Sequence, residues 1–470
     1  MCDTLMYNWR MLSLLDKYFH IAERNSDVRT EVLGGLTTFI TMAYIIVVNP
    51  AILAFAGFPI GPSTMATILT AVFGCLLMAL YANLPIAVAP YMGENAFIAF
   101  GLATMGISWQ VRLGAVFLSG LGFLALSLAR IRSWLAESVS TSMKHSFGVG
   151  IGLFLTFIGM YQTGIITSGA AGMPAAALSI SPSNLLKAPP VPVKIGDFHD
   201  PQVLLAIFGF VLIAVLELRK VRGAILIGMG VNAVLGIALG FAHAPKAIVA
   251  LPFQGEYSLV PLAFQLDIGG ALKVNFFPIL LTLFLMSFLD TLGTLAGVGA
   301  ASGMTDEHGN LPNIEKPMLV DSLSCVFSSL VGSSTSGAFI ESAAGIREGA
   351  RTGLAALVVA LLFALSLFFV PLIEPLQELK FAYAPALMFV GLLMIQSITK
   401  VDFEDLTELV PAFATIVMIL FSYNIANGLT AGLILYPLFK LLSGRARELR
   451  PGSIVLAAMC LVYYVFGLPH

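Results

Sequence analysis

The sequence predicts an all-α polytopic membrane protein whose segments, about 14 in number, form two inverted halves of about seven each. Composition is the first reason: 58% of the 470 residues are hydrophobic and only 11% are charged, which is more apolar than a soluble core requires. The apolar residues also fall in runs long enough to cross a bilayer. Finally, two short, polar, glycine-interrupted runs stand in matching positions of the two halves, as discontinuous helices of transporters do.

Apolar runs between polar breaks give the segments, because about 20 apolar residues in a helix span the hydrocarbon core of a bilayer. A further run at 453–467 has about 15 residues, which favours a helix lying in the membrane interface over a last span. Residues 1–28 lack a continuous hydrophobic region followed by a cleavage site, so they are predicted to be a cytoplasmic tail. The segments, one to fourteen, are predicted at 31–56, 61–82, 84–106, 110–129, 143–166, 201–218, 223–242, 275–298, 317–332, 333–347, 352–372, 383–399, 406–422 and 424–442.

Positive charge orients the chain in the membrane. With the amino terminus inside, about 18 of the 24 lysines and arginines fall on the inner side and about 6 outside, as the positive-inside rule requires. The prediction is a protein of the cytoplasmic (inner) membrane with both ends of the segment array in the cytoplasm. The connections at 167–200 and 243–274 are then extracellular.

The halves are expected to be related as an inverted repeat. The connection at 243–274 separates a first repeat at 29–242 from a second at 275–450, and an odd number of segments in each forces opposite orientations. PYMGENAFIAF at 90–100 and STSGAFIESAAG at 334–345 are both short, polar and interrupted by glycine. We expect these two stretches, in segments three and ten, to contain short extended backbone and to meet near the membrane midplane.

Several classes of function lack their required parts. A formal net charge of −2 and the absence of a Lys/Arg-rich cluster argue against a nucleic-acid partner. The sequence contains no phosphate loop and no HExxH motif, as an ATP-driven pump or a zinc membrane protease would need. The four cysteines are scattered and indicate neither a disulfide framework nor a zinc site. We therefore expect neither an enzyme nor a bound metal or organic cofactor.

The stretch SSTSGAFIESAAG at 333–345 is the strongest indication of a binding site. From Ser333 to Ile346 a helix would be roughly 21 Å long, too short for a hydrocarbon core of about 30 Å. Irregular backbone at membrane depth is tolerated where it lines a cavity enclosed by protein. Glu341 lies in this stretch and is predicted to face that cavity. A structural pair with Arg347 or Arg351 is the alternative, but both lie further along, toward the inner surface, and Arg347 lies off the helical face of Glu341.

Asp290 lies well inside segment eight, about 15 residues from one end and about 8 from the other. An ionised acid at this depth is costly, so it is expected to face a cavity, to be protonated or to be paired. Helical spacing places Gly293 and Thr294 on the same face. A protonated acid in helix packing is the alternative to a functional role. Because burial disfavours the charged form, Asp290 is the candidate for the coupled proton.

The sequence points less clearly to a role for two further acids, Glu94 and Asp321. Glu94, in segment three, either faces the same cavity or is a protonated packing residue. Its neighbour Asn95 offers donors and an acceptor, which favours a site role for this pair. Asp321 follows Lys316 near the start of segment nine and is predicted to cap or anchor that helix end.

Five motifs in order carry a resemblance to a known family. They are RTEVLGGLTTFITMAYIIVVNP (29–50), APYMGENAFIAF (89–100), FLDTLGTLAGV (288–298), FIESAAGIREGARTGL (339–354) and VPAFATIVMILFSYNIANGLTAGLI (410–434). With them, residues 29 to 450 resemble the AzgA-like purine permeases of the nucleobase/ascorbate transporter family, which includes the xanthine and uracil permeases.

The resemblance implies a transport mechanism. A core domain, at 29–131 and 275–372, would move as an elevator against a gate domain at 142–242 and 383–442, with an apolar segment at 451–470 after them. It also implies proton symport of guanine, hypoxanthine or adenine, with the proton as coupling ion. A homodimer surrounded by membrane lipids is the implied assembly.

The resemblance also implies roles for individual residues. By motif match, Glu341 binds the substrate, Asp290 is the essential acid of segment eight, and Gly93 and Asn95 are site residues of segment three. The base is expected between segments three and ten, where freed backbone N–H groups bond its edge. The remaining candidates are Glu94, Ala338 and Phe339 for substrate binding, Thr294 for support, and Phe39, Tyr44, Phe97 or Phe339 for stacking on the base.

This chain departs from the family in segment three, which commonly reads PGMGLNA. Tyr91 replaces the first glycine and Glu94 replaces the leucine, which leaves the base open among guanine, hypoxanthine, adenine, uracil and xanthine. An anion or other small-solute transporter on the same fold is one alternative, although acids would repel an anion. A membrane enzyme is the other, but the sequence offers no constellation of nucleophile and base.

Overall fold

Helices build most of the protein, and short strands occur where helices are interrupted or in the connections. A computed structural model describes residues 15–102, 106–129, 138–174, 179–180, 185–186, 191–245, 247–273, 276–302 and 313–466. Residues 1–14 of the predicted tail and 467–470 of the last apolar run lie outside the described residues.

The elements follow one another along the chain with few long interruptions. The helices are α1 (Val28–Met42), α2 (Ile45–Ala54), α3 (Ile60–Leu77), α4 (Met92–Ala96), α5 (Trp109–Ala129), α6 (Thr141–Gln162), α7 (Pro201–Leu218), α8 (Ala224–Ala238), α9 (Ile268–Ala271), α10 (Phe277–Ser302), α11 (Glu315–Val331), α12 (Ser342–Arg347), α13 (Gly353–Ser366), α14 (Val370–Glu378), α15 (Lys380–Ile395), α16 (Leu406–Phe421), α17 (Ile425–Leu442) and α18 (Pro451–Phe466). The strands are β1 (Val88–Pro90), β2 (Ile166–Ser168), β3 (Ser179–Ile180), β4 (Leu185–Leu186), β5 (Val193–Ile195) and β6 (Ser336–Ala338).

The order of the helices confirms the predicted all-α polytopic membrane fold. In the described part of the chain, seven helices are long and apolar enough to cross a membrane, or eight if the bent pair α13 and α14 is one span. Shorter apolar helices, among them α8 and α16, lie in other predicted segments. Segments three and ten contain the short strands β1 and β6 and the short helices α4 and α12, which confirms that both are discontinuous.

Segment eleven ends earlier than predicted. The prediction continued it to residue 372, whereas α13 ends at Ser366 and α14 turns away from it by 83°. Pro371 lies in the first turn of α14, where a proline is tolerated, although it could not have continued the preceding helix. The Gln377 amide of α14 then donates to the Ile46 carbonyl over 2.9 Å, so this extra helix packs on segment one.

The predicted connection at 167–200 contains secondary structure that the sequence did not indicate. β2 and β5 pair antiparallel, with Ile166 opposite Ile195, and β3 pairs with β4. These strands are two or three residues long, too short for a period of two to be recognised in the sequence.

The two halves use equivalent contacts, as an inverted repeat requires. Cys75, on α3 of segment two, contacts β1: its sulfur lies 3.2 Å from the Val88 nitrogen and 3.3 Å from the Val88 oxygen. Cys325, on α11 of segment nine, contacts β6, where its sulfur accepts from the Ser336 N–H over 3.3 Å. Segments two and nine, which correspond in the repeat, thus support the strands of segments three and ten in the same way.

The helices pack in two groups. The first contains segments one to four and eight to eleven, where α1 and α3 pack on α13 and α5 packs on α10 and α11. The second contains segments five to seven and twelve to fourteen, where α6 packs on α15 and α16 and α7 packs on α8 and α15. The β1–β6 pair lies in the first group.

Both ends of the described chain pack against the helices. Phe19 and Ile21 of the tail are buried with Leu354 of α13. At the other end, α18 packs on α17 and α10. Cys460 of α18 is buried while Val455 is 46% exposed, so α18 has one face on the protein and one facing outward.

Candidate functional site

The two discontinuous segments meet through their backbones. β1 and β6 pair antiparallel, with Val88 opposite Ala338 and Pro90 opposite Ser336. Hydrogen bonds continue on both sides: Tyr91 N donates to Thr335 O and Phe339 N donates to Ala87 O, each over 2.9 Å. The pairing satisfies backbone groups that would otherwise be unpaired at membrane depth. As a result α4 and α12 each begin beside the strand pair.

Small side chains on β6 allow this close approach. A Cβ on Gly337 would lie 2.0 Å from the Tyr91 hydroxyl oxygen, so the tyrosine side chain lies directly over the glycine. The Tyr91 hydroxyl continues to segment eight, where it is 2.8 Å from Thr291 Oγ1. The Tyr91 side chain therefore fills space above the strand pair.

Glu341 lies at the start of α12 and is held by segment one. The Tyr44 hydroxyl, located in the break between α1 and α2, donates to Glu341 Oε1 over 2.6 Å. Arg351 does not take that place, because its guanidinium donates to the Ile346 and Ala350 carbonyls over 2.8 and 2.7 Å. The contact with Tyr44 leaves Glu341 Oε2 available to a ligand, and the side chain is only partly buried.

Asp290 lies on α10, a helix that packs on both β6 and α12. It is close enough to interact electrostatically with Glu341, Glu94 and Asp321, and like Glu341 it is partly exposed. Thr294, four residues further along the same helix, is 8% exposed. The structure thus brings together the two acids that the sequence singled out.

Glu94 is fully buried. Its relative exposure is 0%, and both of its carboxylate oxygens lack a hydrogen-bond partner. It occupies the short helix α4, directly after β1. A buried carboxyl with no donor is costly, so Glu94 is a group whose partner must come from a ligand or a proton.

The Asn95 side chain is tied to segments one and ten. Its amide nitrogen donates over 2.7 Å to Asn49 Oδ1, while its own Oδ1 has no partner. Asn49 in turn donates to Thr67 Oγ1 over 2.7 Å and to Ser333 Oγ over 3.1 Å. The sequence analysis did not single out Asn49. The available signal was an amide side chain within an apolar run, in the first of the five motifs.

The prediction for Asp321 is wrong. It does not anchor a helix end: its exposure is 0%, and Lys316 instead lies 5.9 Å from the centre of the Tyr81 ring. Asp321 Oδ2 accepts from Ala338 N and from Thr291 Oγ1, each over 3.0 Å. Roughly one to two turns of α11 separate it from the helix start, which is enough to bring it under β6. The rule that favours function for acids inside membrane segments would have found it.

The aromatic residues predicted to stack on the base lie in different surroundings. Tyr91 and Phe339 have parallel rings, inclined by 4°, with centroids 6.5 Å apart. Phe39 instead packs edge-on against Phe363 of α13, with centroids 5.1 Å apart. The Phe97 ring, 1% exposed, lies over Gly101 of its own segment. Of the predicted stacking residues, Phe339 is therefore the one that the structure places beside the strand pair with a parallel partner.

Gly93 and Ala338 have backbone roles. A Cβ on Gly93 would lie 2.8 Å from Ile151 Cγ2, so this glycine allows α4 to approach α6 of the second helix group. Ala338 is 1% exposed, and its N–H is bound to Asp321. That N–H is therefore not free for a ligand, contrary to the expectation for this position.

The site contains four acids whose negative charge is not balanced by ion pairs in the described part of the chain. No ion pair among the described residues includes Glu94, Asp290, Asp321 or Glu341. Within the same part of the chain, no group of three or more His, Cys, Asp or Glu residues has the geometry to hold a metal ion. The arrangement suits a ligand that donates hydrogen bonds, since carboxylates accept them.

Comparison with known proteins places the chain in a family. The model of the Permease family matches residues 29–431, most of the chain. The chain belongs to this permease family. The adenine permease AdeP of Escherichia coli (strain K12) is 38% identical to this permease over 96% of each chain. The guanine/hypoxanthine permease PbuO of Bacillus subtilis (strain 168) is 37% identical over 94% of this permease and 98% of PbuO.

Solved structures resemble the fold of this permease. The transmembrane domain of a cyanobacterium bicarbonate transporter, BicA, matches with a TM-score of 0.61 and 17% identity, over 86% of this permease and 97% of that chain. At this identity the likeness concerns the fold alone.

Proposed function

We propose that this permease is a secondary active transporter that imports a purine nucleobase: guanine, hypoxanthine or adenine. The observation that carries the proposal is the Glu341 carboxylate, held by Tyr44 at the junction of the two broken segments. The names of the relatives, an adenine permease and a guanine/hypoxanthine permease, support the same class of substrate.

The base is recognised by its edge and by its faces. Glu341 accepts from a ring N–H or an exocyclic amine, and a hydrogen bond to a charged group of this kind contributes about 1.5–3 kcal/mol. The Phe339 ring stacks on the base, which suits the flat apolar face of a purine. Asn95 contributes its unpartnered Oδ1 as a further acceptor.

Transport couples the base to a proton carried by Asp290. A carboxyl in a low-dielectric site favours its neutral form, and its interaction with Glu341 links the proton to the substrate-binding acid. The two helix groups act as core (29–131 and 275–372) and gate (142–242 and 383–442). The strand pair lies in the first group, so a movement of the core past the gate carries the site across the membrane.

The assembly and orientation follow from the resemblance to the purine permeases. The permease is a homodimer in the cytoplasmic (inner) membrane, with both ends of the segment array in the cytoplasm. The lysine and arginine bias toward the inner side supports this orientation.

Uptake in a host that lacks its own purine permeases tests the substrate. Labelled guanine, hypoxanthine and adenine are offered, and unlabelled uracil and xanthine serve as competitors. Glu341→Gln is expected to abolish uptake with normal abundance in the membrane, while Glu256→Gln, at an exposed position, is expected to transport normally. Near-normal transport by Glu341→Gln would remove this residue from the site.

A protonophore tests the coupling. If a proton drives uptake, dissipating the proton gradient is expected to collapse accumulation of the base to the level of empty membranes. Uptake that continues unchanged would refute proton symport while leaving the substrate assignment intact.

The alternative of an anion transporter is supported by the fold of the bicarbonate transporter alone. The site itself argues against it, because four acids without a compensating cation repel an anion. Bicarbonate- or sulfate-dependent flux would be the result in its favour.

A further inference from the structure

The hydrogen-bonding groups left without partners at the site are mostly acceptors. Among the described residues they include both Glu94 oxygens, Asp321 Oδ1 and Asn95 Oδ1, together with Thr335 Oγ1, which is able to donate or accept. Buried polar atoms are almost always hydrogen-bonded. The missing partners are therefore either protons on the acids or a ligand that presents several N–H groups.

Glu94 has more oxygen atoms without a hydrogen-bond partner than any other of these residues. It is fully buried, it lies next to Asn95 on the short helix beside the strand pair, and it interacts electrostatically with Asp290. Both oxygens are unsatisfied at once. A carboxylate in this condition fits two parallel donors, as it does when it binds a guanidinium.

Purine bases differ in whether they carry two parallel N–H donors on one edge. Guanine carries the ring N1–H and the 2-amino group side by side, in the amidine arrangement that matches a carboxylate. Hypoxanthine has the N1–H but no amino group, and adenine has a lone pair at N1. We propose that Glu94 accepts from the N1–H and the 2-amino group of the substrate, and that this makes guanine the preferred base.

This inference rests on the proposed function, since it assigns one edge of the transported purine to Glu94. Glu341, held by Tyr44 on the other broken segment, then accepts from a different N–H of the same base. The two acids lie in corresponding segments of the repeat, so each half of the protein would recognise one edge.

The wild-type permease gives the first test. Inhibition constants of unlabelled guanine, hypoxanthine, adenine and 1-methylguanine are measured against uptake of labelled guanine. One hydrogen bond to a charged group corresponds to about a 10- to 100-fold change in affinity. Guanine is expected to bind about 10- to 100-fold more tightly than hypoxanthine, and 1-methylguanine, which lacks N1–H, is expected to compete poorly. Equal inhibition by guanine and hypoxanthine would overturn the inference without the need for any variant.

Substitution at Glu94 gives the second test. Glu94→Gln keeps the shape but replaces one acceptor by a donor, so guanine affinity is expected to fall about 10- to 100-fold, with a smaller loss for hypoxanthine. Glu217→Gln, at an exposed position, is the matched control and is expected to keep the wild-type ratio. If Glu94→Gln keeps the ratio and changes only the pH dependence of uptake, Glu94 carries a proton and the inference is wrong. If the wild type transports no purine, the proposed function itself fails.

Discussion

The Tyr44 hydroxyl connects segment one to Glu341, the proposed substrate-binding acid of segment ten, over 2.6 Å and 297 positions of the chain. Such a bond fixes the rotamer of Glu341 before a ligand arrives, so the site is preorganised. Tyr44→Phe removes the bond but keeps the ring. We expect the KM for purine uptake to rise about 10- to 100-fold, because a hydrogen bond to a charged group is lost.

Tyr161→Phe is the control for this measurement, since Tyr161 is 45% exposed. Initial rates of uptake over a range of substrate concentrations give the KM of the wild type and of each variant. Equal values for Tyr44→Phe and the wild type would show that Tyr44 does not position the acid.

Asp321 is a structural acid of the same site. Its Oδ2 serves Ala338 N and Thr291 Oγ1, so Asp321→Ala leaves buried donors without a partner, each at about 1–3 kcal/mol. Asp321→Asn retains an acceptor oxygen. We expect the alanine variant to have the lower thermal midpoint of unfolding in detergent, with the asparagine variant between it and the wild type. Equal midpoints for all three proteins would contradict the role assigned to this carboxyl.

Among the structural elements, β6 approaches Tyr91, the residue that precedes α4, at one glycine. A Cβ on Gly337 would lie 2.0 Å from the Tyr91 oxygen and 2.5 Å from Cζ. The tyrosine is held at Thr291 over 2.8 Å, so it has little freedom to move. Gly337→Ala is therefore expected to reduce the amount of folded permease in the membrane, measured by fluorescence-detected size-exclusion chromatography. Tyr91→Ala in the same chain is expected to restore it.

Gly230→Ala provides the comparison, because a Cβ there meets nothing within 4 Å. It is expected to be neutral or slightly stabilising, since alanine favours a helix by up to about 1 kcal/mol over glycine. If Gly337→Ala behaves like Gly230→Ala, the strand pair tolerates a side chain and the close approach is not required.

At the scale of the whole molecule, an ion pair joins the two helix groups. Arg222, between α7 and α8, and Glu348, after α12, lie 2.5 Å apart with side-chain exposures of 55% and 35%. Movement of one group past the other would break this pair. Because exposed ion pairs contribute about 0–1 kcal/mol, we expect Arg222→Glu to change the rate of uptake by no more than about 5-fold.

The double variant Arg222→Glu with Glu348→Arg is expected to restore the wild-type rate. High salt should reduce the difference between the single variant and the wild type, because it screens exposed charges. A single variant that differs equally at low and high salt would show that the effect is not electrostatic.

Local pattern was enough to predict most of the fold. Apolar length gave the segments, and the polar, glycine-interrupted stretches around Glu94 and Glu341 were placed correctly as broken segments, because neither a run length nor a helix-breaking residue depends on its neighbours in space. The bend between α13 and α14 was missed because Pro371 is compatible both with an ending segment and with the first turn of a new helix.

The sequence by itself determined that this is a polytopic membrane protein with two mirrored interruptions and acids inside the membrane, since burying a charge in a bilayer requires a cavity or a partner wherever it occurs. Which partner each acid has was decided only by tertiary structure. Tyr44 reaches Glu341, and Asp321 supports β6, because pairing the two strands brings together segments that are far apart along the chain. Hydrogen bonds of that kind depend on distance and direction in space, which no spacing along the chain encodes.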